Sequence, residues 1–504
     1  MEKCYPATPK CPNPFIHVVK LTKAQRIKGL VLGSFLFPVR VFLAGFFFLI
    51  MWPIASLRMV GLSEEQRSRP VTGWRRWLYH SVVRTLSRAV FFSLGFLWMK
   101  VKGRRADLKE APMLVVAPHS GFLDMLVLCP TELATVVSRS ENQSLPVIGA
   151  LLEFNQSVIV SRKDPESRKN AVSQLVERLT SNGYWPQMLM FPEGTTTNGQ
   201  ALIKFKPGAF VAGMPVQPVL LRYPNKLDTV RWTYKGSTWL DAVWHTTSQL
   251  YTNMTVEFLP VYKPSEEEKE NPELYADNVQ KLMARALGVP ATDYVMEGGI
   301  PVRKLGGLSL PLESPAKEML TLLHSDGLTA AQVAQARHRM LERCRAASGS
   351  KVSVDELHSI LSLSDRQTTT HVCGLFSKDD SVDLTQIYIS LSALTDPENL
   401  EELLHFVFPL FDSSGEGSLS AEQLSELMGA LLGVPQRHTA ELYEAACTDG
   451  RLTEGNLLHV LTSHPTYGRA LSGHLLGEEA GLRLSDTPLA NGNNNNSSNN
   501  KKLD

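Results

Sequence analysis

The stretch Met113-Leu-Val-Val-Ala-Pro-His-Ser-Gly-Phe-Leu-Asp124 decides the fold of this 504-residue chain. Its first five residues are all apolar, which is typical of a strand buried on both faces of a sheet. The polar residues His119 and Asp124 follow this strand within one turn. In open α/β sheets, ligands bind beyond the carboxyl ends of the strands. The stretch therefore predicts a buried strand and, at its end, a binding site.

Three further short apolar runs predict strands, at residues 157–160, 188–191 and 218–223. A helix lies between the first two of these runs, with Asp164 as its cap, Pro165 as its first residue and Gly183 just after its end. Strands that alternate with helices indicate a mostly parallel sheet with helices on its faces. We therefore expect an α/β domain over residues 102–300.

Polar residues follow three of these strands, those that end at residues 117, 160 and 191, and we expect them to converge on one site because parallel strands end at the same edge of a sheet. An arginine at a strand end offers a two-pronged contact for a phosphate. A glycine lets a ligand approach the backbone, and the glutamate before it either orients the arginine or binds a substrate hydroxyl. Two lysines further on suit phosphate or coenzyme A. The candidates are Arg162, Glu193, Gly194, Thr195, Lys204 and Lys206.

His119 and Asp124 predict a general base. Asp124, one tight turn after the histidine, can fix the tautomer of the imidazole and stabilise its charged form. Ser120 lies in no nucleophile-elbow pattern, so the attacking group would be a hydroxyl of the substrate. Taken alone, this spacing is also compatible with a structural histidine. The polar residues at the other strand ends favour the base.

The four strand-end motifs resemble those of the glycerolipid acyltransferase superfamily: His119-x4-Asp124, then residues 158–162, 191–194 and 216–219. Further segments are similar to the lysophosphatidylcholine acyltransferase group, over about residues 12–300; they are 12–15, 37–40, 72–75, 117–120, 185–187, 205–210 and 222–225. Residues 201–206 favour the member that also acylates lysophosphatidylethanolamine. Two positions depart from the group: Thr196 stands in place of cysteine and Leu123 in place of an aromatic residue.

The resemblance implies an acyl-CoA-dependent transfer to lysophosphatidylcholine, lysophosphatidylethanolamine or both. His119 would be the base, Asp124 its partner and Arg162 the phosphate ligand. No cofactor is implied, because acyl-CoA is a co-substrate. The alternatives are an acylglycerol-phosphate or lyso-platelet-activating-factor acyltransferase, a hydrolase that uses water, and a non-catalytic membrane adaptor.

Residues 1–101 predict a membrane-anchoring region. The apolar run at 29–57 is long enough to cross a bilayer, but Pro38 and Arg40 interrupt it. It predicts either a tilted span from about residue 41 to 57 or a re-entrant hairpin bent at Pro38. A second run at 89–101, preceded by arginines, predicts a helix on the membrane surface, with a buried core helix as the alternative.

Residues 301–475 predict an all-α, EF-hand-like domain. The segment after Phe411 fits a calcium loop with ligand positions at Asp412, Ser414, Glu416, Ser418 and Gln423. Gln423 stands where the loop needs a bidentate glutamate, so a purely structural domain is favoured and bound calcium is doubtful. Weaker loops centre on Val354, Leu384 and Leu452, at near-regular intervals.

Composition and the C-terminus bound the remaining possibilities. A net charge of +1 argues against a nucleic-acid partner, and six scattered cysteines without a paired motif argue against a zinc site. Residues 476–504 predict a disordered, asparagine-rich tail that ends in Lys501-Lys502, which resembles a dilysine retrieval signal. We therefore expect the endoplasmic reticulum membrane, with the catalytic domain and the C-terminus in the cytosol.

Overall fold

The structure is a computed structural model that describes residues 13–161, 164–345, 351–377, 381–395, 400–448 and 450–468. The chain divides into two compact units, Met1–Val295 and Met296–Asp504. Three predicted features lie outside the described residues: Arg162, the asparagine-rich tail and the dilysine sequence.

The strands of unit 1 are β1 (Ile16–His17), β2 (Met99–Lys102), β3 (Met113–Ala117), β4 (Thr135–Arg139), β5 (Val158–Val160), β6 (Met188–Met190), β7 (Val216–Arg222), β8 (Lys235–Gly236) and β9 (Met254–Phe258), with β10 (Tyr294–Glu297) at the unit boundary. Among the described residues, seven of them form one sheet in the order β2-β9-β7-β3-β6-β4-β5. Neighbours are parallel except β7 and β9. The mostly parallel sheet that the sequence predicts is therefore confirmed, with β3 near its centre.

The helices of unit 1 are α1 (Lys23–Met59), α2 (Glu64–Arg67), α3 (Gly73–Ser93), α4 (Ser140–Gln143), α5 (Pro146–Phe154), α6 (Pro165–Leu179), α7 (Trp239–Thr247), α8 (Glu266–Glu270) and α9 (Pro272–Leu287). The sheet carries a core on each face. Met113, Val115 and Ala117 of β3 pack with α6 and α9, whereas Leu114 and Val116 pack with the opposite cluster around Phe96. This alternation explains why all five residues of β3 are apolar and buried.

The helix between β5 and β6 begins as the sequence predicts. Asp164 caps α6 by accepting a hydrogen bond of 3.0 Å from the backbone NH of Glu166, and Pro165 is the first helical residue. Strands β4 and β9 were not expected. β4 contributes only two adjacent valines to its apolar run, whereas β9 alternates Met254, Val256 and Phe258 with polar residues, a strand signal that the sequence does carry.

The apolar run at 29–57 lies in one continuous helix, α1, which contains both Pro38 and Pro53. The predicted hairpin at Pro38 is therefore wrong. The charge of Arg40 has partners within the protein. Its guanidinium donates to the carbonyls of Thr247, Gln249 and Leu250 at 2.8, 2.5 and 2.7 Å. By length and composition alone, α1 could cross a membrane.

The predicted surface helix at 89–101 is also wrong. Its first residues end α3, a turn at Gly95 follows, and Met99–Lys102 is the edge strand β2. The turn forms because Arg88 donates to the carbonyls of Phe96 and Leu97 at 2.9 and 2.8 Å. At least this one of the preceding arginines therefore holds the protein backbone rather than lipid head groups.

Unit 2 is mostly helical, but it is not all-α as predicted, because residues 300–305 and 308–311 pair as antiparallel strands. Its elements are β11 (Ile300–Leu305), β12 (Leu308–Pro311), α10 (Pro315–Ser325), α11 (Ala330–Arg345), β13 (Lys351–Ser353), α12 (Val354–Leu361), α13 (Arg366–Phe376), β14 (Ser381–Asp383), α14 (Leu384–Thr395), α15 (Leu400–Phe411), α16 (Ala421–Leu432), α17 (Ala440–Ala446) and α18 (Glu454–Ser463). The four predicted loops form two pairs. In the first pair, β13 pairs with β14; in the second, the NH of Leu419 donates to the carbonyl of Leu452 at 3.0 Å. These contacts fall at the loop positions that the sequence spacing picks out.

Candidate active site

The site is built at the carboxyl end of β3. After Pro118 the chain turns into a short 3-10 helix, Phe122–Leu128, and this turn brings Asp124 back to His119. The Nδ1 atom of His119 lies 2.8 Å from Oδ2 of Asp124. The carboxylate is fully buried, whereas the imidazole keeps 19% of its surface exposed. One ring nitrogen is therefore held by the protein while the ring remains accessible.

Asp124 accepts three further hydrogen bonds. The backbone NH groups of Ser120 and Gly121 donate to Oδ2 at 2.5 and 3.0 Å, and the hydroxyl of Tyr223 donates to Oδ1 at 2.5 Å. Burial and the charge of Asp124 raise the pKa of Tyr223 well above its usual value, so this hydroxyl stays a donor. The buried carboxylate is thus solvated by the protein and fixed in orientation.

Glu193 supports the backbone of the histidine. Its Oε2 accepts the NH of His119 at 2.7 Å and its Oε1 accepts the NH of Ile203 at 3.4 Å. The side chain is only 1% exposed. This set of contacts differs from the expected one with substrate or Arg162. Burial raises the pKa of Glu193 to about 8 in spite of these two bonds, so the carboxyl is mostly neutral at pH 7.

The loop after β6 forms one wall of the site. Phe191 stacks on the ring of His119, with centroids 4.2 Å apart. Gly194 has a φ of +63°, and a Cβ there would lie 3.0 Å from Cε and Nζ of Lys206. Arg139, at the end of β4, donates to the carbonyl of Gly194 at 3.3 Å. Two cations, Arg139 and Lys206, therefore lie beside Gly194, the residue that follows Glu193.

Arg231 connects the turn after His119 to the segment after β7. Its guanidinium donates to the hydroxyl of Ser120 and pairs with Asp228 at 3.0 Å. The same group lies over the ring of Tyr223, 5.8 Å from the centroid. It brings a partly buried positive charge to the side of the site that holds Asp124.

Comparisons with known proteins identify the family of this chain. Residues 99–222 match the Acyltransferase family. The chain is 44% identical over 494 residues to human lysophospholipid acyltransferase LPCAT4, covering 96% of this chain and 93% of that protein. It is 39% identical to human lysophosphatidylcholine acyltransferase 2, covering 93% and 86%.

The chain belongs to the lysophosphatidylcholine acyltransferase group. It is therefore an O-acyltransferase, as its motifs predict. Among solved structures it is similar to the 1-acyl-sn-glycerophosphate acyltransferase PlsC of Thermotoga maritima, with 17% identity and a TM-score of 0.35, over 52% of this chain and 97% of that one.

The other predicted residues of this acyltransferase have different surroundings. Thr195 follows Gly194 in the same loop and is half-buried. Lys206 lies against Gly194, whereas the charge of Lys204 acts on Asp277 of α9. Arg162 lies outside the described residues, so its place as phosphate ligand remains a prediction.

Three residues of the site were not found from the sequence: Tyr223, Arg231 and Arg139. Tyr223 stands in a motif that resembles the family, but nothing in the sequence says that it reaches Asp124, 99 residues earlier. Arg139 does not stand out in the sequence, because the short apolar run of β4 does not predict a strand. At the end of a predicted strand it would be a candidate by the same reasoning as Arg162.

In the predicted calcium loop of unit 2, the side chains hydrogen-bond to one another and to the backbone of the loop. Asp412 accepts from the hydroxyl of Ser414 and from the NH groups of Gly415 and Gly417, at 2.9, 2.9 and 2.7 Å. Gln423 caps α16 through the NH of Ser420 and donates to Ser413. No group of three metal-binding His, Cys, Asp or Glu side chains occurs among the described residues. The donor set does not fit tightly bound calcium, which needs a bidentate carboxylate at the position of Gln423.

The substitution Tyr223→Phe removes one donor from Asp124. The carboxylate then interacts more strongly with a protonated His119, so the acidic limb of the pH–rate profile should move to higher pH. We expect kcat to fall by about an order of magnitude, since a hydrogen bond to a charged group contributes roughly 1.5–3 kcal/mol. Tyr184→Phe, at an exposed tyrosine, is the matched control. A fall in kcat with an unshifted pH profile would contradict this positioning role.

Glu193→Gln replaces the buried carboxyl with a neutral group. In the wild type the folded-state pKa, about 8, lies above the unfolded value, so the folded state binds more protons between these two values. Wild-type stability should therefore fall as the pH rises from about 5 to 8, with a smaller fall in the variant. Thermal unfolding in detergent across this pH range measures the difference. Parallel curves for the two proteins would mean that Glu193 is ionised in the folded state.

Proposed function

We propose that this enzyme transfers a fatty acyl group from acyl-CoA to the free glycerol hydroxyl of lysophosphatidylcholine, lysophosphatidylethanolamine or both, with His119 as the general base. The observation that carries the proposal is the buried Asp124 on Nδ1 of a partly exposed histidine, in a chain that belongs to an acyltransferase group. The names of the relatives support a lysophospholipid as acceptor.

The proposed reaction follows from the tautomer of His119 that the hydrogen bond to Asp124 favours. Asp124 keeps a proton on Nδ1, so the second ring nitrogen, Nε2, can take the proton of the acceptor hydroxyl. The hydroxyl oxygen attacks the thioester carbonyl and forms a tetrahedral oxyanion. Its collapse breaks the carbon–sulfur bond, the CoA sulfur leaves with the proton returned from His119, and the phospholipid ester remains. General-base catalysis of this kind contributes typically 10²–10⁴-fold.

The charges around the site suit a phosphorylated acceptor. A neutral Glu193 leaves Asp124 as the one carboxylate in contact with His119 among the described residues. Arg139 and Lys206 flank Gly194 and can bind a phosphate of the lysophospholipid or of coenzyme A. We keep Arg162 as a third candidate for this role.

We propose that α1 lies in the plane of the membrane instead of crossing it. Gly33 packs on Trp244 of α7, and Ala55 packs in a cluster with Phe154 of α5. These contacts are 22 residues apart, which is about 33 Å at ~1.5 Å per residue. That length equals the hydrocarbon core of a bilayer, ~30 Å. A crossing helix would draw α5 or α7 into the membrane with it. The localisation in the endoplasmic reticulum, facing the cytosol, stays part of this proposal.

His119→Ala should reduce product formation to the background of inactive membranes, because no other base touches the acceptor hydroxyl in this mechanism. The assay uses microsomes that contain equal amounts of each variant, with a panel of lysophospholipids and acyl-CoAs read by mass spectrometry. His119→Gln, which keeps a polar group of similar size, controls for packing. Turnover retained in both variants would overturn the general-base assignment, and free fatty acid as the product would indicate a hydrolase.

Unit 2 is proposed as an EF-hand-like structural domain that does not bind calcium at Asp412. We expect no change in the thermal unfolding of the full chain on addition of micromolar calcium, because Gln423 cannot supply the bidentate carboxylate. Gln423→Glu restores that group and is the positive control. A shift in the wild type that Asp412→Ala abolishes would show a working site.

A further inference from the structure

The connection between β7 and β9 carries a group of large apolar side chains on its surface. These residues, here called the aromatic patch, are Trp232, Tyr234, Trp239, Leu240, Leu250 and Tyr251, each between 40% and 59% exposed. Single exposed apolar residues are normal on a soluble protein, but six within twenty positions indicate an interaction surface. None of them is needed to build the sheet.

The patch borders the active site. The NH of Trp232 donates to the carbonyl of Ser120, next to His119, at 2.9 Å. At the other end of the connection, the NH of Thr252 donates to the carbonyl of Gly95 at 2.8 Å. Whatever covers the patch at Trp232 therefore comes close to the turn that carries His119.

The patch is continuous with α1. Phe37 packs against Trp244 of α7, with ring centroids 5.2 Å apart, and Arg40 holds the carbonyl of Leu250. On α1, residues such as Leu30 and Phe35 are 64% and 73% exposed. The apolar surface of the anchoring helix thus extends onto the catalytic domain.

Positive charge lies beside this surface. Four exposed cations, Lys20, Lys23, Arg26 and Lys28, precede or begin α1, and the first turn of the helix contains no acidic residue. The strand pair β1–β8 joins this end of the chain to the patch, with Ile16 opposite Lys235. Tryptophan and tyrosine beside lysine and arginine are typical of the head-group layer of a membrane. A second copy of the chain or a soluble partner would not need this arrangement.

We propose that the aromatic patch is a second membrane contact, which lies in the head-group layer of a bilayer that contains anionic lipid and places His119 beside that layer. The inference rests on the proposed function, since it explains how an acceptor that is a lipid reaches the base. Its physical content, contact of the patch with lipid, is testable apart from any activity.

The double substitution Trp239→Glu/Leu240→Glu tests the patch in the full chain. Both positions are exposed and lie in the first turn of α7, where a negative charge is favourable, so folding should be preserved. Tyr184→Glu is the matched control. Tyr184 is 57% exposed and precedes β6, which places it at the sheet edge opposite the active site.

Two measurements give the outcome. In vesicles of phosphatidylcholine and phosphatidylserine with brominated acyl chains, Trp239→Phe should lower the lipid-quenched share of the fluorescence of the chain's eight tryptophans. In the assay, the double variant should lose about tenfold in kcat/KM on a bilayer-borne lysophospholipid, because interfacial binding scales with buried apolar area. It should keep wild-type turnover of a short-chain, monomeric lysophospholipid, and Tyr184→Glu should match the wild type on both.

Equal losses on both substrates, or no loss on either, would overturn the proposal, as would unchanged quenching in Trp239→Phe. A dimer in detergent that the double variant converts to a monomer would also overturn it and assign the patch to a second copy. If no acceptor is acylated at all, the proposed function fails, while the quenching experiment still decides whether the patch contacts lipid.

Discussion

The buried carboxylate of Asp124 is the group on which the active site depends. A carboxylate removed from water is costly unless hydrogen bonds replace its hydration. Here two backbone NH groups, the hydroxyl of Tyr223 and the imidazole of His119 replace it. The two backbone donors come from the turn that carries His119, so the fold of this turn also sets the orientation of the His119 ring. Loss of the turn would leave a buried charge without partners.

Asp124 is the one negatively charged group that contacts His119 among the described residues, because the neighbouring Glu193 is mostly neutral. Glu193 accepts the backbone NH of His119, and a second full negative charge there would favour the protonated form of the imidazole, which cannot accept a proton. Its burial, which raises the pKa of Glu193 to about 8, avoids this, while its oxygens still hold the NH groups of His119 and Ile203. Arg231 adds a positive charge near Tyr223 and Asp124. Both carboxyl groups are buried, and they differ in their hydrogen bonds. Asp124 contacts the imidazole, two backbone NH groups and the hydroxyl of Tyr223, whereas Glu193 accepts only two backbone NH groups among the described contacts.

Local patterns in the sequence predicted the parts of the fold that are decided locally. The unbroken apolar run of β3 and the Asp-Pro start of α6 are such cases, and both are confirmed. The pairing of His119 with Asp124 was also within reach, since five residues separate them. Tyr223 and Arg231 come from distant parts of the chain, and their contacts follow from the sheet order, in which β7 lies beside β3. No spacing rule within one segment can give that neighbour.

Arg40 illustrates the same limit at the membrane. In the sequence it is a cation within an apolar run, and its cost at mid-membrane, roughly 2.5–3.5 kcal/mol, argues for a bend or a shortened span. In the structure three backbone carbonyls, one from the last residue of α7 and two from the segment after it, accept its hydrogen bonds, so the charge is solvated by the protein. The helix then has no reason to bend at Pro38, and it runs on along the catalytic domain. Arg40 thus marks the face of α1 that packs on the catalytic domain. The hydropathy of the helix alone does not show which face this is.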